Sequence, residues 1–132
     1  MKKLNSKGKC LCGGIKFSTK GFHREVSNCH CIQCMKTHGN FAAYTRVNDD
    51  CLKFQSKKTL KWFKSSKKAR RGFCARCGAS IFFKVNKSKT ISISAGMFEK
   101  SFKIKTNKNI FVKNKLKYYK LDKSIPKFNR YS

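Results

Sequence analysis

Acidic residues are the scarcest feature of this sequence. Glu25, Asp49, Asp50, Glu99 and Asp122 stand against 33 Lys and Arg, giving a formal net charge of +28. A surface with so little negative charge attracts polyanions and small anionic substrates. Codon bias toward A and T explains the abundance of Lys over Arg and the frequent Asn, but it does not explain the missing Asp and Glu. Long apolar runs are also absent, so no segment reads as a membrane span. The basic start, Met1 to Lys9, has no apolar stretch of the kind a secretory signal needs. The expected setting is therefore the cytoplasm, a reducing compartment. Helix-period apolar patterns are nearly missing, and no internal repeat or linker breaks the 132 residues. A chain of that length builds one domain, expected over residues 1–132, with a modest core.

Alternating patterns are present instead. Ile15 and Phe17 alternate after Gly13-Gly14. Strand-like stretches follow at 41–47, 51–54, 60–63, 81–85, 90–95, 110–112 and 117–121. Short strands at this spacing predict a mainly β domain. One short helix is expected over Ile32–His38. Residues 99–132 are rich in Lys yet keep Phe102, Ile104, Phe111, Val112, Tyr118, Tyr119, Leu121 and Phe128, too many large apolar groups for a disordered tail.

Seven of the eight cysteines fall in three clusters: Cys10-Leu11-Cys12, Cys29-His30-Cys31-Ile32-Gln33-Cys34, and Cys74-Ala75-Arg76-Cys77. Such spacings bring neighbouring sulfurs to one metal ion and suit distant disulfide pairing poorly. Seven thiols suggest one four-sulfur site, closed and structural, and one three-sulfur site with an open position. Sulfur ligands point to Zn2+ at two sites per chain, although four-sulfur sites hold iron as well. Two such zinc sites would offset only three of the positive charges.

These motifs, with their neighbours, resemble the glutathione-dependent formaldehyde-activating enzyme and centromere protein V family. The matching pieces are Gly8 to Phe17, Cys29 to Cys34 with Lys36, Gly39 and Phe41, then Ser65-Ser66 and Arg71 to Gly78. The closing pieces are Asn109 to Val112 and Leu121 to Phe128. The resemblance implies a β-tent, in which small antiparallel sheets are clamped by zinc. It implies that Cys10, Cys12, Cys74 and Cys77 hold the structural ion, and that Cys29, Cys31 and Cys34 hold the second, open one. The spacings agree with this partition. Two pairs far apart in sequence make a clamp between hairpins, whereas Cys29, Cys31 and Cys34 can surround an ion locally.

The resemblance also implies a reaction: a carbon–sulfur lyase-type conversion of a glutathione adduct of formaldehyde, or of a related thiol and aldehyde. The expected partner is a small-molecule thiol such as glutathione. Lys36, Arg70 or Arg71 would supply positive charge beside the open site. Two readings compete with it. One is a basic, zinc-stabilised module that binds nucleic acid or another polyanion without turnover. The other is a structural zinc domain that serves a partner protein. Among the remaining residues, His30 is expected to pack rather than ligate. His38 has a workable spacing to fill the open position, but packing is favoured there too. His23 is expected at the surface, and Cys51 as a small buried apolar residue. Phe73, Phe82, Phe83 and Trp62 read as core. Of Tyr118 and Tyr119, alternation sends one ring inward and one outward.

Overall fold

In the computed structural model, which describes residues 1–131, strands dominate. The order is β1 (Lys2–Lys9), β2 (Ile15–Cys29), α1 (Ile32–His38), β3 (Ala42–Asn48), β4 (Leu52–Lys57), β5 (Leu60–Phe63), β6 (Ala69–Cys74), β7 (Ser80–Val85), β8 (Thr90–Ser94) and β9 (Thr106–Ile110). No helix of the described residues is long and apolar enough to cross a membrane.

Strand β2 organises the architecture because it serves two sheets. Its first part, Ile15 to Thr19, lies between β1 and β4. Its last part, through Cys29, lies between antiparallel β3 and parallel β9. The second sheet continues β3-β8-β7-β6-β5. Between the two parts stands Gly21, at φ 127°, where a Cβ would come within 2.9 Å of Cys51 Sγ. A residue with a side chain would be strained there twice over, by conformation and by contact. Register shifts between Arg24 and Ser27 then re-aim the strand toward the three-cysteine cluster.

The main core sits where the two sheets face each other. Ile15, Phe17, Val47, Ile81, Phe82 and Ile93 are buried there. The Phe17 ring meets Phe82 and Phe98 edge-on, at centroid distances of 5.7 and 5.4 Å. Burial of one such side chain stabilises the fold by about 1.5–3 kcal/mol. Cys10 and Cys74 belong to this core, so the four-sulfur cluster grows directly out of it. A smaller cluster of Cys34, Ala42 and Tyr44, with Phe83 against it, lies under the other cysteine set.

The mainly antiparallel β architecture and the helix at Ile32–His38 are as expected. Several local expectations need correction. His23 is fully buried rather than at the surface. Its Nε2 lies 2.7 Å from Thr19 Oγ1, its Nδ1 lies 2.9 Å from the Gly21 carbonyl, and burial pushes its pKa down. Cys51 is half-buried, with its sulfur 3.6 Å from Asp50 Oδ1. Residues 117–121 form no strand. Phe111 turns left-handed at φ 54°, which ends the stretch expected at 110–112. Trp62 is 37% exposed and stacks on Phe82 from the rim. Beyond β9 the chain returns to it: the Asn109 amide donates to Pro126 O and the Phe128 amide to Asn109 O, both at 2.9 Å.

Candidate functional site

Two turns of the same design deliver the four-sulfur cluster. The hairpin between β1 and β2 carries Cys10 and Cys12, and the hairpin between β6 and β7 carries Cys74 and Cys77. In the first, the Gly13 amide donates to Cys10 O at 3.1 Å. In the second, the Gly78 amide donates to Cys74 O at 2.8 Å. Both glycines lie at φ 79°, in the left-handed region that a tight turn of this kind requires. In each turn the leading sulfur receives a backbone N–H: Ile15 donates to Cys10 Sγ and Cys77 to Cys74 Sγ, both at 3.3 Å. Such donors favour the thiolate, the form that binds metal. Burial pushes the Cys74 thiol up, but bonds from the Thr59 hydroxyl and the Cys77 and Arg76 amides outweigh it and hold Cys74 at about 5. Arg76 Nε donates to Cys12 Sγ at 3.2 Å.

The three-sulfur cluster is built at one chain reversal. Cys29 ends β2, Cys31 caps the N-terminus of α1, and Cys34 lies inside it. The Cys34 amide donates to Cys31 Sγ at 3.4 Å. Gly39 closes the helix in the left-handed region, with its amide on Met35 O at 2.8 Å. Hydrogen bonds from Cys29 and Cys34, the Cys34 amide and the Arg71 charge together pull Cys31 down to about 2. Cys29 moves up, through its bonds to Cys31 and Cys34 and its burial.

Within each set the ligand atoms all lie within 4.8 Å of one another, so each could hold a metal ion. The donor chemistry fits zinc, being sulfur only, with backbone N–H groups already aimed at the sulfurs. All eight cysteines are free thiols. Cys51 belongs to neither set. His38 does not join the second set either: its Nε2 lies 3.1 Å from the Tyr44 hydroxyl, and burial, then Arg71, pushes it down to about 4. His30 turns away from the sulfurs. Its Nδ1 faces Ile110 O at 3.2 Å and its Nε2 bonds the Tyr119 hydroxyl. Tyr119 is thus the inward ring of its pair, while Tyr118 is exposed.

Arg71 is the cation that reaches the three-sulfur cluster. Its Nη2 donates to Cys34 Sγ at 3.6 Å and to Gln33 Oε1 at 3.4 Å, and its Nη1 donates to the Tyr44 hydroxyl at 3.2 Å. Its guanidinium also lies 4.9 Å from the centre of the Phe83 ring. The group is buried, and its Nε has no protein partner. Burial opposes the charge, but the pull of Cys34, then of Tyr44 and Cys31, outweighs it and raises the pKa of Arg71. Arg70, one residue earlier, points to the other face and stacks on Trp62 at 4.5 Å. Lys36 is exposed on α1 and does not line the site.

A cleft of about 370 Å³ opens on this cluster, bounded by Cys29, Cys31, Cys34 and Arg71 at one end. That volume lies within the ~300–1,000 Å³ typical of small-molecule sites. Its lining also includes Arg24, Ser27, Arg46 and Lys108, and no Asp or Glu lines it. None of these four stood out in the sequence, because a strand Arg or Lys is lost among 33 bases. Arg24 lies beyond Phe17, where no apolar alternation marks a strand, so its pairing with Arg46 is visible only in the structure.

The family model described as glutathione-dependent formaldehyde-activating enzyme matches residues 5–114. A crystal structure of a Rhodobacter sphaeroides protein is similar to this chain at a TM-score of 0.60 and 19% identity. It covers 76% of this chain and 99% of its own. At that identity the likeness speaks for the fold alone. No curated protein sequence matches the chain. The matched span contains every clustered cysteine and the Arg71 that serves them, and the chain belongs to the glutathione-dependent formaldehyde-activating enzyme family.

Proposed function

We propose that this chain is a zinc-dependent carbon–sulfur lyase-type enzyme acting on the adduct of a small thiol, such as glutathione, with formaldehyde or a related aldehyde. The observation that carries this reading is a three-cysteine set at the end of a solvent-open cleft, with a buried arginine beside it. Cys10, Cys12, Cys74 and Cys77 act as a structural clamp, and Cys29, Cys31 and Cys34 act at the reacting end. Zinc held by those three sulfurs would favour the thiolate form of an incoming thiol.

The chain's own groups do the rest. Arg71 offsets the negative charge that gathers as thiolates accumulate, in a buried place where solvent does little to screen it. Gln33 and Tyr44 hold the guanidinium in position. In the forward direction the thiol sulfur forms a bond to the aldehyde carbon, the carbonyl π pair moves to oxygen, and that oxygen takes up the proton that the thiol gave up. In the lyase direction the same carbon–sulfur bond breaks. No redox partner is needed. We infer that residues 1–132 work as one unit, since the C-terminal segment is hydrogen-bonded to β9. We also infer a cytoplasmic setting, which would keep the clustered thiols reduced.

The test is native mass spectrometry of the zinc-loaded protein with and without glutathione, followed by an exchange assay between formaldehyde, glutathione and the adduct. Two zincs and one glutathione are expected in the wild type. Cys34→Ser should lose the thiol and the exchange while the far clamp keeps its ion and the melting transition survives. Two bound zincs with no thiol uptake would overturn the reading.

A further inference from the structure

The same cleft carries a charge arrangement that the three-cysteine set does not use. Arg24 of β2 and Arg46 of β3 are direct cross-strand partners. Like charges placed opposite each other destabilise a strand pair. Neither has a carboxylate partner. Arg24 spends its donors on the carbonyls of Glu25 and Tyr44, at 3.3 and 2.9 Å. Arg46 reaches only the Ser92 hydroxyl, at 3.5 Å. Glu25, the nearest acid in sequence, accepts from the Lys105 amide at 2.8 Å instead. Burial, then the Arg46 charge, pushes Arg24 down to about 10 against an opposing pull from Cys29.

Lys108 of β9 adds a third cation, and its register partner on β2 is Ser27. The Ser27 hydroxyl is 1% exposed as a residue, lines the same cleft and has no hydrogen-bond partner. A buried hydroxyl left without a partner costs about 1–3 kcal/mol. Three cations without a carboxylate partner and one idle hydroxyl therefore line a single opening.

We propose that Arg24, Arg46, Lys108 and the Ser27 hydroxyl form an anion subsite that selects thiols with a dianionic tail and no ammonium group. The selectivity half of this inference rests on the thiol reading above; the anion subsite does not. Two negative charges, from a phosphate or from paired carboxylates, would relieve the Arg24–Arg46 repulsion. An ammonium on the same tail would meet three cations and no acid. A dicarboxylate thiol without an amine should then outcompete glutathione, whose tail includes an α-ammonium.

The test is titration calorimetry at low salt on zinc-loaded wild type, Arg46→Gln and Lys108→Gln. Arg46 is exposed and Lys108 half-buried, so both variants leave the core intact. The probes are inorganic phosphate, mercaptosuccinate, glutathione and 2-mercaptoethanol. Mercaptosuccinate should bind wild type about tenfold or more tightly than 2-mercaptoethanol, as expected for charge-assisted hydrogen bonds, and more tightly than glutathione. Either variant should erase that advantage and leave 2-mercaptoethanol unchanged. Phosphate should bind wild type and weaken by a similar factor in both variants. Equal affinity for mercaptosuccinate and 2-mercaptoethanol, or phosphate binding that both variants leave unchanged, would overturn the subsite. If no thiol binds at all, the proposed function fails, and the phosphate series alone decides the anion subsite.

Discussion

Arg71 shows how one residue can serve stability and chemistry through different atoms. Its guanidinium lies over the Phe83 ring, while Nη1 and Nη2 reach Tyr44, Gln33 and Cys34. Deleting the whole side chain would mix lost packing with lost charge. Arg71→Met separates them, since it keeps an unbranched apolar stem and removes the cation. The charge matters because three thiolates with a divalent ion already carry −1, and an incoming thiolate adds another. The variant should keep both zincs but bind glutathione about tenfold more weakly, in line with the loss of one buried charge-assisted contact. Zinc content by atomic absorption and thiol affinity by calorimetry check the two halves. Unchanged thiol affinity would remove Arg71 from the site. His38 stands apart from the sulfur set, with its Nε2 taken up by the Tyr44 hydroxyl.

At the scale of elements, the clamp depends on how closely two hairpins approach. Gly14 lies beneath Thr59, and a Cβ there would come within 2.3 Å of Thr59 Oγ1 and 2.6 Å of its Cγ2. That same hydroxyl lies 3.1 Å from Cys74 Sγ. Gly14→Ala should therefore push the first hairpin away from the β4–β5 turn that carries Thr59 to Cys74, and lower stability by about 1–3 kcal/mol, as overpacking does. Thermal melts should show the loss, and a chromogenic chelator should strip one zinc faster than from wild type. Thr59→Ala in the same chain should recover part of the stability by removing the clashing atoms. Equal melts for Gly14→Ala and wild type would mean that the approach is looser than the distances indicate. The cysteine pattern made both clusters legible in the sequence, because ligand spacing is local. The strands were legible only where apolar residues alternate. Strand β2 beyond Phe17 hides its inward face behind Thr19, His23 and Ser27, polar groups that burial would normally exclude. Strand β1 presents Ser6 and Gly8 inward, and the Phe17 ring fills the space over Gly8. Strand β6 was missed because Arg71 and Gly72 occupy its buried positions. The tyrosines near residue 118 imitate a strand, but Tyr119 is instead tied to His30.

Across the whole molecule, the few acids are mostly committed to internal bonds. Asp49 pairs with Lys84 at 2.6 Å, Glu25 accepts from the Lys105 amide, and Asp122 holds the Ser124 amide and hydroxyl. The acids offset only five of the 33 positive charges, which leaves the net +28. Such a field gathers anions of every kind and cannot by itself distinguish glutathione from an oligonucleotide. The one α-helix of the described residues spans only seven residues, about two turns, which is short for an element that reads a groove. Salt separates the two kinds of binding. An oligonucleotide held by n phosphate contacts should lose affinity with a log–log slope of about −0.7n to −0.9n. A thiol held through its sulfur and a few short contacts should weaken far less, because screening acts over a Debye length of ~10 Å at 0.1 M and ~3 Å at 1 M. We expect oligonucleotide binding to be insensitive to sequence and to vanish between roughly 0.05 and 0.5 M salt, while glutathione affinity falls only severalfold. Fluorescence anisotropy with two unrelated oligonucleotides, run beside glutathione calorimetry at the same salts, makes the comparison. Oligonucleotide binding that persists at high salt and prefers one sequence would show that the charge serves nucleic-acid recognition, and the cleft chemistry would then be secondary to it.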